Sequence, residues 1–226
     1  VWLPDVATMY PAEAATTIVA NAPVGSSLQL AGARGYIANT GNRDVLRGWL
    51  VGDGVPPGLS IDAELRWAAL ERLAALGALD VEAIAAEAAS DGTSEGAVHA
   101  AACRALRPDL NAKQEAWQAL MHDAATPNYE LYAVANGFWH PLQEDLTVLF
   151  VERYFDEITE LAKLRSGWVL TRLAEYLYPW TAVSPTTVEF TDTLLGRADL
   201  DAGVRRSVVD ASDDLRRALR ARRAFA

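Results

Sequence analysis

The chain has 226 residues, 51% of them hydrophobic but only 8% aromatic, and a net charge of −10 that argues against a nucleic-acid surface. Cys103 is the single cysteine, so an intrachain disulfide is excluded and a reducing, cytoplasmic compartment is expected. No signal peptide and no 18-residue apolar run occurs, so neither secretion nor a membrane span is expected.

The length suits one substantial core or a quasi-linear stack of helices, read as a single domain over 1–226. Ala dominates the apolar residues; it is the best intrinsic helix former and lets helices approach closely. Seven Trp (Trp2, Trp49, Trp67, Trp117, Trp139, Trp168, Trp180) are expected to fill the wedges that Ala leaves thin. The chain opens without Met, at Val1-Trp2-Leu3-Pro4, which fits either a fragment or a chain whose first residues are missing.

In chain order, Tyr10-Pro11-Ala12-Glu13 opens a helix reaching Val19 or Asn21, although residues 1–25 are the hardest to place. Gly52-Asp53-Gly54-Val55-Pro56-Pro57-Gly58 is too rich in Gly and Pro for helix and links two elements. Leu65, Ala69, Leu73 and Leu76 form an apolar stripe, closed by Gly77 as C-cap. Asp80 reads as N-cap for Val81 to Ala89, and Asp91-Gly92 ends that helix. Thr93 or Ser94 starts the next, which runs to Leu106 before Pro108. Asn111 is expected to cap Ala112 to Met121, and Pro127-Asn128 to open a short helix ending at Gly137.

After the break at Trp139-His140-Pro141, a long amphipathic helix is predicted from Leu142 to Lys163. Its stripe is Leu142, Leu146, Leu149, Phe150, Tyr154, Ile158 and Leu161. Further helices are expected from Ser166 to Leu177, from Ser184 with Pro185 at the first helical position, and from Asp199 or Asp201 to Arg223.

The starts recur at about 14 to 18 residues, near the half-period of helical-hairpin repeats. With strand signals nearly absent, the fold class is all-α: an α-solenoid-like array of antiparallel helix pairs, a HEAT- or armadillo-like superhelix. A compact irregular bundle is the alternative.

Chemistry is sparse. His99, His122 and His140 are the only histidines, and none is followed by Glu, so H-E-x-x-H is missing. His99 and Cys103 share a helical face, but no further metal ligands accompany them. The pairs Glu144-Asp145, Asp156-Glu157 and Asp213-Asp214 sit on charged helix faces, where solvated side chains are the plain reading. No Ser or Thr has a plausible His base. No catalytic and no metal-binding residue is therefore assigned. The basic end (Arg216, Arg217, Arg220, Arg222, Arg223) is either a contact patch or the cationic end that a helix C-terminus favours.

Two Arg–Trp pairs stand out, Arg47-Gly48-Trp49 and Arg66-Trp67. A guanidinium fork beside an aromatic plane can hold a peptide carboxylate. Alternatively the indoles pack between helices while the guanidinium groups pair with Asp44, Asp62 or Glu64. Arg47, Trp49, Arg66 and Trp67 are the candidate contacts to substrate or to another domain.

The series Asp44-Val45-Leu46-Arg47-Gly48-Trp49-Leu50, Gly54-Val55-Pro56-Pro57-Gly58-Leu59 and Asp62-Ala63-Glu64-Leu65-Arg66-Trp67 resembles the C-terminal helical domain of actinobacterial-type aminopeptidase N. It continues with Lys113-Gln114-Glu115-Ala116-Trp117, Val151-Glu152-Arg153-Tyr154-Phe155, Leu177-Tyr178-Pro179 and Asp214 to Arg222, so that the likeness runs from about residue 26 to 223. The resemblance implies a HEAT-like domain, similar to that region of endoplasmic-reticulum aminopeptidases. It would cap a zinc metallopeptidase and shape its peptide chamber. Zinc, the zinc-binding helix and the substrate loop would then lie in the catalytic domain of the same polypeptide, not in this chain. The implied partners are that domain and a peptide substrate, with neither nucleic acid nor membrane. The rival reading is a free-standing helical-repeat interaction module, and an upstream reading frame bearing H-E-x-x-H decides between them.

Overall fold

The computed structural model describes residues 9–225, and within them every regular element is helical. Trp2 and the opening Val1-Trp2-Leu3-Pro4 lie outside the described residues. The chain divides into two compact units, 1–103 and 104–226.

The first unit contains α1 (Met9–Asn21), α2 (Ser27–Asn39), α3 (Arg43–Leu50), α4 (Ala63–Ala75) and α5 (Val81–Asp91). It also holds most of α6 (Ser94–Leu106). α1 packs on α2, α3 on α4, and α2 on α4. Their core gathers Ala33, Ile37, Leu46, Trp49, Leu65, Ala69 and Leu73. Small Ala positions let the helices close up while one indole fills the gap between them. The caps follow local chemistry: Asn42, Asp62 and Asp80 each accept backbone N–H groups in the first turn of the helix that follows. Gly92 ends α5 in the left-handed conformation (φ 66°).

The loop 52–58 is stitched to the α1–α2 turn. The Gln29 side chain accepts from Gly25 N–H at 2.8 Å and donates to Pro57 C=O at 3.1 Å. Gly58 has φ 81°, and a Cβ there would meet Val24 Cγ1 at 2.4 Å and Gly25 N at 2.7 Å. Only glycine fits so close a backbone approach.

The second unit contains α7 (Leu110–Met121), α8 (Asn128–Phe138), a one-turn α9 (Glu144–Thr147) and α10 (Val151–Leu164). α11 (Gly167–Tyr176), α12 (Pro185–Leu195) and α13 (Ala202–Phe225) complete it. Helices adjacent in sequence pair as α7–α8, α10–α11 and α12–α13. Between pairs, α10 touches α7 and α12, while α11 touches α8 and α13. Trp117, Phe138, Phe150, Tyr154, Phe155 and Tyr178 supply the aromatic core, with tilted and edge-to-face rings at 5.0–6.2 Å.

Three sequence expectations need correction. The long helix from Leu142 to Lys163 is broken. The backbone runs through a 3₁₀ turn (Pro141–Gln143), α9, a second 3₁₀ turn (Val148–Phe150) and only then α10. A 3₁₀ turn takes three residues rather than 3.6, so the apolar stripe loses register. Phe150 keeps its expected place in the core, against Trp117 and Phe138, while Leu142 and Leu149 leave the stripe and are exposed. The second correction concerns α7, which is capped by Asp109 accepting from Ala112 N–H at 2.8 Å, not by Asn111. Finally, Trp49, Trp67, Trp117 and Trp139 fill the interior as wedges should, but Trp168 and Trp180 stand exposed.

Candidate functional site

The two Arg–Trp pairs occupy unlike environments in the first unit. Arg47, on α3, is exposed; it donates to Ala78 C=O at 3.2 Å and lies 3.7 Å from Asp44. Arg66, on α4, forks onto Glu87 of α5 at 2.5 and 2.7 Å and donates its third nitrogen to Leu50 C=O at 2.8 Å. The bond to Glu87 holds its pKa above the ordinary Arg value. Trp49 is buried, donates to Gly54 C=O at 3.1 Å and tilts against Tyr36. Trp67 is buried too, and donates to Asp91 at 2.7 Å. Asp91 also accepts from the Thr93 hydroxyl, and the two bonds hold its carboxyl below the usual range. His99 stacks on Trp67 at 5.5 Å and contacts Glu71 at 2.7 Å. The structure thus brings Trp67, Asp91, His99 and Glu71 together, while Arg47 and Arg66 bind different partners.

The second unit holds a comparable cluster. Trp117 donates to Glu157 at 2.8 Å, Arg153 pairs with the same carboxylate at 2.9 Å, and His122 lies 3.6 Å away. Burial pushes the Glu157 carboxyl up, but the bonds from Arg153 and Trp117 outweigh it and leave the pKa lowered. Each cluster ends an indole N–H on a carboxylate, which satisfies a buried donor.

The sequence reading missed where the buried cations go. Lys113 is fully buried and donates to Ala105 C=O at 2.6 Å and Phe138 C=O at 2.8 Å, with Gly137 C=O at 3.5 Å. It thereby closes the carboxyl ends of α6 and α8, and burial lowers its pKa to about 7. Arg72 does the same for α2 through Thr40 C=O at 2.7 Å and Asn39 C=O at 3.2 Å. Arg205 serves α12 through Leu195 C=O and Arg197 C=O, both at 2.5 Å. Cations are favoured where the last carbonyls of a helix lack partners. A lone Lys between Ala-rich helices was the available signal.

At the basic end, Arg216 pairs with Asp192 and Arg217 with Asp213 and Asp214, while Arg222 donates to Val183 C=O. Arg220 and Arg223 are exposed along a groove of about 340 Å³ between α12 and α13. A larger, mostly apolar cleft of about 470 Å³ opens among α1, α2, α3 and the loop 52–58, with Tyr36, Trp49 and Pro56 in its wall. Among the described residues, no three His, Cys, Asp or Glu side chains gather to hold a metal ion. No helix there is long and apolar enough to cross a membrane. Cys103 is buried.

A helical scaffold in which Arg72, Lys113 and Arg205 close the ends of its own helices is the class of protein this geometry defines. Residues 28–217 match the ERAP1-like C-terminal domain, and the chain belongs to that family. It is also similar to Aminopeptidase N of Streptomyces lividans, 39% identical over 208 residues that make up 91% of this chain and 24% of that protein. The chain therefore spans about a quarter of the length of the curated relative it matches.

Proposed function

We propose that this chain is the noncatalytic C-terminal domain of a zinc aminopeptidase that removes N-terminal residues from peptides. Its helix pairs form a HEAT-like, solenoid-type wall over the active site, all in one domain, and the whole enzyme works in the cytoplasm. The zinc and its ligands belong to the catalytic domain of the same polypeptide, which supplies the Lewis acid and the activated water. The wall's part is to exclude bulk water and to hold the peptide, both of which favour the reaction. The family match over residues 28–217 carries this reading, together with its likeness to a quarter of an aminopeptidase N. The stacked pairs α7–α8, α10–α11 and α12–α13 support the solenoid.

Of the four candidate contacts, Arg47 presents an exposed guanidinium to peptide or catalytic domain. Arg66, partly exposed beside Glu87, is the second such contact, and Trp49 and Trp67 support the two arginines from within the helix packing.

Leucine p-nitroanilide hydrolysis tests the assignment of roles. The intact parent with zinc is expected to turn it over, and this chain alone with zinc is not. Turnover by the isolated chain overturns the reading. In the parent, Arg47→Glu is expected to change peptide-length preference more than nitroanilide turnover, and equal effects on both would make Arg47 structural.

A further inference from the structure

Positive charge gathers at one place in the second unit and is not fully answered there. Arg216, Arg220 and Arg223 follow one another at i, i+4 and i+7 along α13, so they share one helix face. They line the groove of about 340 Å³ against α12, together with the apolar Pro185, Val188 and Leu219. Like charges three and four residues apart repel, so such a row costs stability unless anions answer it. Arg216 has its anion, the Asp192 carboxylate at 2.5 Å. Arg220 and Arg223 are exposed, and among the described residues no carboxylate pairs with either. Arg222 ends on the neutral Val183 carbonyl and keeps its charge. Four arginines are thus set against two carboxylates of α12, Asp192 and Glu189. The place is short of two negative charges.

We propose that this groove binds a small phosphate monoester, with Arg220 and Arg223 on the phosphate oxygens and Pro185, Val188 and Leu219 against the organic part. The site is independent of the aminopeptidase reading. One carboxylate satisfies one guanidinium fork, as Asp192 does for Arg216, whereas two open forks call for a group with two charges. A phosphate monoester carries about −1.5 to −2 at pH 7 and offers three acceptor oxygens. Guanidinium forks match those oxygens in pairs. The groove lies at the small end of the range of ligand sites, about 300–1,000 Å³, which suits one phosphate on a compact body. A long polyanion such as a nucleic acid is disfavoured, because the chain as a whole carries −10. Glu189, exposed in the same groove, opposes the ligand and supplies an internal control.

Isothermal titration of the full chain, at constant ionic strength in a buffer free of phosphate, tests the site. The probes are phenyl phosphate, inorganic phosphate and benzoate. Phenyl phosphate is expected to bind most tightly, since it alone offers both two charges and a ring. Arg220→Ala and Arg223→Ala are each expected to weaken it about tenfold, the scale of one charge-assisted contact. Arg206→Ala, at an exposed arginine of the same helix that does not line the groove, is expected to leave it within twofold. Glu189→Gln removes the opposing carboxylate and is expected to tighten it severalfold. All four replaced residues are exposed, and thermal melts matching the wild type establish that each variant is folded. No saturation at about 10 mM phenyl phosphate overturns the site. Binding that Arg220→Ala and Arg223→Ala leave unchanged, or that Arg206→Ala weakens as much, also overturns it. Benzoate as tight as phenyl phosphate would mean that one carboxylate suffices. Inorganic phosphate as tight would leave the apolar lining unused. Either result would sink the monoester.

Discussion

The ammonium of Lys113 lies 2.8 Å from the carbonyl oxygen of Phe138, inside the second unit and out of contact with water. A lysine so placed does not act on a substrate; it joins the carboxyl ends of two helices. In its neutral form the amine keeps two N–H groups, enough for Ala105 and Phe138.

That placement makes stability depend on pH. Burial lowers the folded-state pKa to about 7 from 10.5, so the unfolded chain binds the extra proton between those values. Stability therefore rises as pH increases from about 7 to about 10.5, by at most about 1.4 kcal/mol per pH unit from this one group. Below pH 7 both states are protonated and the contribution is flat. Urea midpoints of wild type and Lys113→Met at pH 7, 8, 9 and 10 check this. The gap between the two proteins is expected to shift in favour of wild type as pH rises, and a constant gap would contradict it. Lys113→Ala adds a cavity and unpaired carbonyls, and is expected to cost about 3 kcal/mol.

Arg66 and Arg47 separate by their neighbours. Arg66→Glu sets a carboxylate against Glu87 and strips Leu50 C=O of its donor, so a loss of about 2 kcal/mol is expected. Arg47→Glu changes an exposed side chain and is expected to stay within about 0.5 kcal/mol. Thermal melts of both variants decide the matter, and equal destabilisation would refute the distinction.

Trp67→Ala removes a buried indole against which His99 stacks and on which Asp91 receives a bond. The expected cost is about 3 to 5 kcal/mol, as for other buried aromatic truncations. Trp168→Ala, at an exposed position, is expected to leave the melting temperature nearly unchanged. Parallel melts of the two variants test whether burial alone sorts these indoles.

Gly58→Ala forces a Cβ into Val24 and Gly25 and strains a positive φ. A loss of about 2 kcal/mol is expected, from the clash and the backbone together. Gly52→Ala, with a similar φ but open space around it, is expected to cost less. Denaturation midpoints of the pair separate the clash from the conformation.

Much of the helical layout was legible because caps are local. Asp80 with Gly92, Ser184 with Pro185, and Asp201 before α13 act within a turn of their own positions, and the structure uses each as a helix boundary. The break after Leu142 was not legible, because two 3₁₀ turns preserve helical-looking spacing while changing which side chains face inward. The choice between Asp109 and Asn111 at α7 turns on which residue leaves the helical conformation, and both side chains are good caps. The Arg–Trp pairs were visible as residue types. Their different fates were not, since Glu87 and Asp91 lie more than five turns away along the chain. The edge-on meeting of Tyr132 with Tyr176 needs α8 and α11 side by side, and no short-range pattern announces that contact.

Arg72, Lys113 and Arg205 anchor helix ends from the side, by reaching across from other elements rather than through the turns that follow those ends. Segments joining the helices are thereby relieved of the duty of termination. A connector of this kind is expected to tolerate a change of length without unwinding the rods it joins, provided the reaching cation stays in place. Grafting a short flexible insert after Thr40 should accordingly be tolerated in the wild type and become damaging once Arg72 is replaced.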